Sequence, residues 1–184
     1  MLAVQVQRLI ELERYEDTEE ILQEARRSDP AAIAPILLLT EVYDQSGEPQ
    51  RSIELLRTSS AESPEEVSLR IRLVEKLLGA RDFEGAQTLL EEVRKDPNVN
   101  ATTVDYLYAR SAALQGDMET AQEYIERAAA KDPDNPTLKF LMGQLAAKRG
   151  DYSTASTLFE QSMAGVGHRS QAVQALFESL LRLG

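Results

Sequence analysis

The 184-residue chain has no cysteine, no tryptophan and one histidine. Without cysteine there is no disulfide framework, no thiolate nucleophile and no zinc–cysteine site. That absence fits a bacterial cytoplasm and a periplasm equally well. His168, in the loop GVGHRS, has no second imidazole with which to build a metal site or proton relay, so it reads as a loop residue. No apolar run approaches the roughly 18–20 residues needed to cross a bilayer, so direct membrane insertion is not expected. The opening MLAVQVQRLIELERYE lacks the basic start, apolar core and small-residue cleavage site of a secretory leader. Basic residues are also scarce: 20 against 31 acidic ones leave a net charge of −11, which argues against nucleic acid as the partner.

The charge is uneven. Residues 1–66 carry 15 acids and 6 bases, whereas residues 136–184 carry 3 acids and 5 bases. Adjacent acidic pairs such as Glu19-Glu20, Glu65-Glu66 and Glu91-Glu92 diverge around a helix axis and read as solvated surface. Asp132 and Asp134 fall short of a calcium loop, which needs further oxygen ligands and a glycine at fixed spacing. Gly165-Val166-Gly167 lacks the preceding strand and the Gly-Lys-Ser/Thr ending of a phosphate loop. Asn100-Ala101-Thr102 is a formal glycosylation sequon, relevant only in a eukaryotic secretory setting. No catalytic residue, cofactor site or metal site emerges.

What the chain does have is a period. Helix-stopping prolines stand at Pro30, Pro64, Pro97 and Pro133, spaced 34, 33 and 36. Turn positions recur at Glu13, Gly47, Arg81, Gly116 and Gly150, and a further step of 34 reaches Gly184. Five residues after each turn stand Thr18, Ser52, Ala86, Ala121 and Ala155, all small. Nine after stand Leu22, Leu56, Leu90, Ile125 and Phe159, all large and apolar. Twelve after stand Ala25, Ser59, Val93, Ala128 and Ser162. Small residues let two helices approach, and large ones fill the space between layers. First-helix rows are looser: Leu39, Leu73, Tyr108, Met142 and Leu176 lie eight before the turn, and Tyr43, Leu77, Ala112, Ala146 and Leu180 four before. Asp117 caps a helix that Asp132-Pro133 ends. Ser63-Pro64-Glu65-Glu66 reads as a capping box with proline at the first helical position, and Asn135-Pro136 repeats the cap-then-proline order.

This pattern resembles the tetratricopeptide repeat, through Gly143, Gly150-Asp151-Tyr152, Ala155 and Phe159 in one unit and Gly116-Asp117, Ala121 and Pro133 in another. The family's early tryptophan is replaced by Ile36, Arg70, Asp105, Lys139 and Val173. Its closing proline is absent at Gly167, and Asn98–Ala101 lengthens one loop. The resemblance implies an all-α, right-handed superhelical solenoid of antiparallel helix pairs. The array divides as a shortened first repeat (1–32), four repeats (33–66, 67–99, 100–135, 136–169), and a final helix (170–184). That helix reads either as a cap or as the opening helix of a further repeat. The arithmetic to Gly184 favours the second, in a piece of a longer array.

The resemblance also implies a non-catalytic scaffold that takes a peptide or partner protein in a concave groove lined by first helices. Ten residues before the turn, Leu37, Ile71, Tyr106 and Phe140 form an apolar row, flanked by Ala3 and Gln174; six before stand Glu41, Glu75, Arg110 and Gln144. The competing reading is that the apolar row packs between neighbouring helices. If open, it would accept apolar anchors, with Glu41, Asp44 and Glu75 favouring a basic segment towards the N-terminal end. The same face lacks the lysine, arginine and asparagine with which some family members hold a chaperone's carboxylate terminus. Bacterial envelope assembly, secretion or polysaccharide export is the setting that the resemblance implies. Two other classes stay open: a structural spacer or homo-oligomer joined through Leu176, Phe177 and Leu180, and a regulatory segment of a larger enzyme.

Overall fold

The computed structural model describes the backbone of residues 2–164 and 169–183, and side chains from Val4 onward within those ranges. His168 and the Gly165–Gly167 loop lie outside them, as do Gly184 and the side chain of Ala3. The described residues form eleven α-helices. These are α1 (Leu2–Glu11), α2 (Tyr15–Ser28), α3 (Ile33–Gln45), α4 (Pro49–Glu62), α5 (Val67–Gly79), α6 (Phe83–Lys95), α7 (Ala101–Gln115), α8 (Met118–Lys131), α9 (Pro136–Lys148), α10 (Tyr152–Ser162) and α11 (Arg169–Leu183). No strand occurs among the described residues. Pro30, Pro64, Pro97 and Pro133 all fall between helices.

One backbone device makes every hairpin. The turn residues Glu13, Gly47, Arg81, Gly116 and Gly150 all adopt positive φ, between 56° and 87°. The next N–H then reaches back to the carbonyl four residues before the turn: Arg14 to Leu9, Glu48 to Tyr43, Asp82 to Leu77, Asp117 to Ala112 and Asp151 to Ala146, at 2.7–3.0 Å. A left-handed residue with this bond closes the orphan carbonyls of the first helix and reverses the chain. Glycine takes that conformation at no steric cost, whereas Glu13 and Arg81 carry a Cβ in it.

The second-helix rows fill the hairpins as their spacing predicts. Every residue five and nine after the turn is buried, as are Ser59, Val93, Ala128 and Ser162 twelve after. Two of the buried hydroxyls are bonded locally, Thr18 to the Arg14 carbonyl at 2.7 Å and Ser162 to that of Phe159 at 2.7 Å.

The chain divides into two compact units, Met1–Val93 and Arg94–Gly184. The first contains a core of Val6, Ile10, Leu22, Leu39, Val42 and Tyr43. In the second, Ala109, Ala112, Ala121, Ile125, Ala128, Leu138, Leu141 and Leu145 form one cluster, and Phe140, Ala155, Phe159 and Ala172 another. Gly143 matters here because a Cβ on it would sit 2.7 Å from the Phe159 ring. The bulkiest residue of the nine-after row therefore enters only because the facing position is bare.

One boundary differs from the sequence reading. Ser63 closes α4, and α5 begins at Val67 after a turn in which the Glu66 N–H donates to the Ser63 carbonyl at 3.0 Å. Its N-cap residue, Glu66, makes no side-chain cap bond, so the Ser63-Pro64-Glu65-Glu66 capping box does not form. Ser63 is held as the end of α4 by its own N–H, bonded to the Ser59 carbonyl at 3.0 Å.

Candidate functional site

The residues counted back from each turn lie on the first helices, α3 and α5 in one unit and α7 and α9 in the other. Within the first unit a Lys76–Asp44 ion pair ties α5 to the end of α3. Asp44 is itself positioned by the Ser52 hydroxyl at 3.0 Å, which also lies 2.8 Å from the Thr40 carbonyl oxygen. On this pair Leu37 and Ile71 are half-buried, leaving part of each side chain to solvent. Glu41 is exposed and accepts from Gln45 at 3.3 Å; Glu75, a quarter exposed, pairs with Arg72 at 3.0 Å. The face therefore has two apolar patches beside two carboxylates.

In the second unit α7 packs on α9, and the Lys148 ammonium donates to the Ala113 carbonyl at 2.8 Å. Tyr106 is half-buried against the α7–α9 core, with Arg110 half-buried and Gln144 exposed. Phe140 is different. It is only 8% exposed and packs on Phe159, with ring centres 5.6 Å apart. The apolar row is thus open at Leu37, Ile71 and Tyr106 and closed at Phe140. At the C-terminal helix, Leu176 packs inward against the Phe140–Phe159 cluster, while Phe177 and Leu180 are exposed.

Two charged clusters went unread in the sequence. Glu19, taken as solvated, accepts from the Tyr43 hydroxyl at 2.9 Å and from the Arg51 guanidinium, which lies 4.1 Å over the Tyr43 ring and also pairs with Glu48 at 3.0 Å. Burial, and then the Glu19 bond, push the Tyr43 hydroxyl pKa up; the Glu19 bond holds the Arg51 guanidinium well above its ordinary value. The available signal was spacing, since Arg51 lies 32 residues from Glu19, almost one period. Asp105 occupies the place of the family's tryptophan, yet is buried and paired with Arg127 at 3.0 Å and Lys131 at 2.7 Å. Acid there pins α7 to α8 by charge where an indole would do so by bulk.

Two sequence profiles described as Tetratricopeptide repeat match the chain, over residues 71–136 and 112–183. Together they span most of it. The chain is a tetratricopeptide-repeat protein. Proteins of this family are generally non-catalytic and bind other proteins or peptides. No curated protein sequence matches this one. Solved structures share its fold at low identity. TTC0263, a thermophilic tetratricopeptide-repeat protein of Thermus thermophilus, is 18% identical with a TM-score of 0.73, over 96% of this chain and 95% of that one. PilW, a type IV pilus biogenesis factor, is 16% identical with a TM-score of 0.68, over 99% and 90%. Yeast Tom70 is 19% identical with a TM-score of 0.65, over 96% of this chain and 38% of its own length.

Proposed function

We propose that this tetratricopeptide-repeat protein is a non-catalytic scaffold whose first helices hold a peptide or a partner protein. The observation that carries this reading is the pairing, on first helices within each compact unit, of incompletely buried apolar residues with polar ones. Leu37 and Ile71 stand beside Glu41 and Glu75, and Tyr106 beside Arg110 and Gln144. Phe140, buried against Phe159, is not a contact residue. Within the first unit, two apolar anchors at about 1.5–3 kcal/mol each are set against an association cost of roughly 4–15 kcal/mol. Affinity is therefore modest, and charge selects the partner. Exposed Glu41 and partly exposed Glu75 favour a basic segment, weakened by salt. The cellular setting we propose is envelope assembly, secretion or polysaccharide export, with which the fold shared with PilW is compatible.

The test is crosslinking in the native host followed by titration of the captured partner. Leu37→Ala with Ile71→Ala should lower affinity at least tenfold at unchanged helicity, and Glu41→Lys with Glu75→Lys should abolish the preference for a basic partner. Unchanged affinity in the apolar double variant would reject this face.

A further inference from the structure

A cleft of about 490 Å³ is lined by α4, α5 and α6, inside the first compact unit. Leu73 and Leu77 of α5, each 4% exposed, and half-buried Leu89 of α6 make its apolar part. Asp82, just before α6, Glu84 and Glu92 of α6 and Arg57 of α4 also line it, three acids against one base.

The repeat register explains why space is left here. Four residues past the turn stand Asp17, Arg51, Gly85, Thr120 and Thr154, so this hairpin alone has no side chain at that position. One hairpin earlier, the Arg51 guanidinium takes the corresponding place. It lies 4.1 Å over the ring of Tyr43, the counterpart of Leu77, and pairs at 3.0 Å with Glu48, the counterpart of Asp82. Its other acceptor, Glu19, corresponds to Ile53, so at the cleft the carboxylates come from the α6 side alone.

The cleft is not a seat for more of the array. Helices α4, α5 and α6 are consecutive, and the hairpins that border it are complete. What fills the matching place one repeat earlier is a side chain, not a helix. The charge left over is acidic. Asp82 Oδ1 accepts from the Gly85 N–H at 2.9 Å, and its Oδ2 has no hydrogen bond among the described residues. Neither Glu84 nor Glu92 forms an ion pair among them. Arg57 and Glu92 stand ten and eleven residues past their own turns, about 15 Å along each helix. Arg57 therefore offsets Glu92, and the Asp82–Glu84 end keeps its negative charge.

We propose that this cleft receives an arginine side chain of a partner polypeptide. The guanidinium sits at the Asp82–Glu84 end beside Gly85, and an apolar neighbour in the partner rests on Leu73, Leu77 and Leu89. Arginine suits the place better than lysine, because its planar fork of donors matches a carboxylate and lies flat on apolar surface. The cleft shares no residue with the first-helix face of the proposed function, so either can fail alone.

The probe is the peptide acetyl-Leu-Arg-Leu-amide, titrated into the complete chain and followed by amide chemical shifts, with citrulline replacing arginine as the neutral control. Shifts should centre on Gly85 and Thr88, and the citrulline peptide should bind about tenfold more weakly. Gly85→Arg, which repeats the Arg51 arrangement, should fill the cleft from within and abolish those shifts. Glu84→Gln, at an exposed position, should weaken binding several-fold at unchanged helicity. Equal affinity for the two peptides, or unaltered binding in both variants, would overturn the proposal. Shifts confined to Leu37, Glu41, Ile71 and Glu75 would overturn it too, while leaving the first-helix reading in place.

Discussion

Helices α2–α5 and α6–α10 share one hairpin plan but start differently. In the first group the N-cap residues Arg14, Ala32, Glu48 and Glu66 make no side-chain cap bond. In the second group every helix is capped. Asp82 accepts from Gly85 at 2.9 Å, Asn100 from Thr102 at 2.8 Å, Asp117 from Thr120 at 3.0 Å, Asn135 from Thr137 at 3.0 Å and Asp151 from Thr154 at 3.1 Å. The profile matches begin at residue 71, close to where capping begins. The hairpin itself needs only the left-handed turn and the buried rows, which both groups share. In the first group the Glu19–Tyr43–Arg51 cluster joins α2, α3 and α4.

If the two groups differ only at their helix ends, truncating the core should hurt both alike. Leu56→Ala and Phe159→Ala are each expected to cost about 2–5 kcal/mol in urea unfolding; a loss confined to Phe159→Ala would break the equivalence. Cap removal should separate them instead. Asp117→Ala and Asp151→Ala should each lower the urea midpoint, by less than either core truncation. Glu48→Ala, which removes solvent-facing bonds with Arg51 and Ser46, should cost less than either.

The smallest expected effect is on pH dependence. Bonds from Thr120 and Thr154 hold the Asp117 and Asp151 carboxyls below their ordinary value of 3.8. A depressed carboxyl stabilises the folded state above the unfolded value and loses that contribution as pH falls through the folded one. Thermal melts between about pH 5 and pH 2 should therefore decline less steeply in Asp117→Asn with Asp151→Asn than in the parent. An identical slope would remove these caps from the acid response.

The fold was legible because its signals are local and repeated. Turn positions were readable even at Glu13 and Arg81, where glycine is absent, since the small and large rows on either side fix the count. Asn135 and Asp117 were readable as caps for the same reason. What escaped depends on neighbours that one-dimensional spacing does not weigh. Ser63 had the residues of a cap, but its own N–H already closes α4. Phe140 fell in the outward row, yet Gly143 and Phe159 turn that part of α9 into core. Glu19 and Asp105 were acids whose counter-charges arrive from other helices.

The fit of Phe159 against Gly143 carries a lesson for recombination. Bulk is apportioned between the two arms of one hairpin, so neither arm can be exchanged without its mate. A chimera spliced at Pro133, between hairpins, keeps both halves of the lock. One spliced at Gly150 inherits a key cut for another door, and would bring either a collision or a hole.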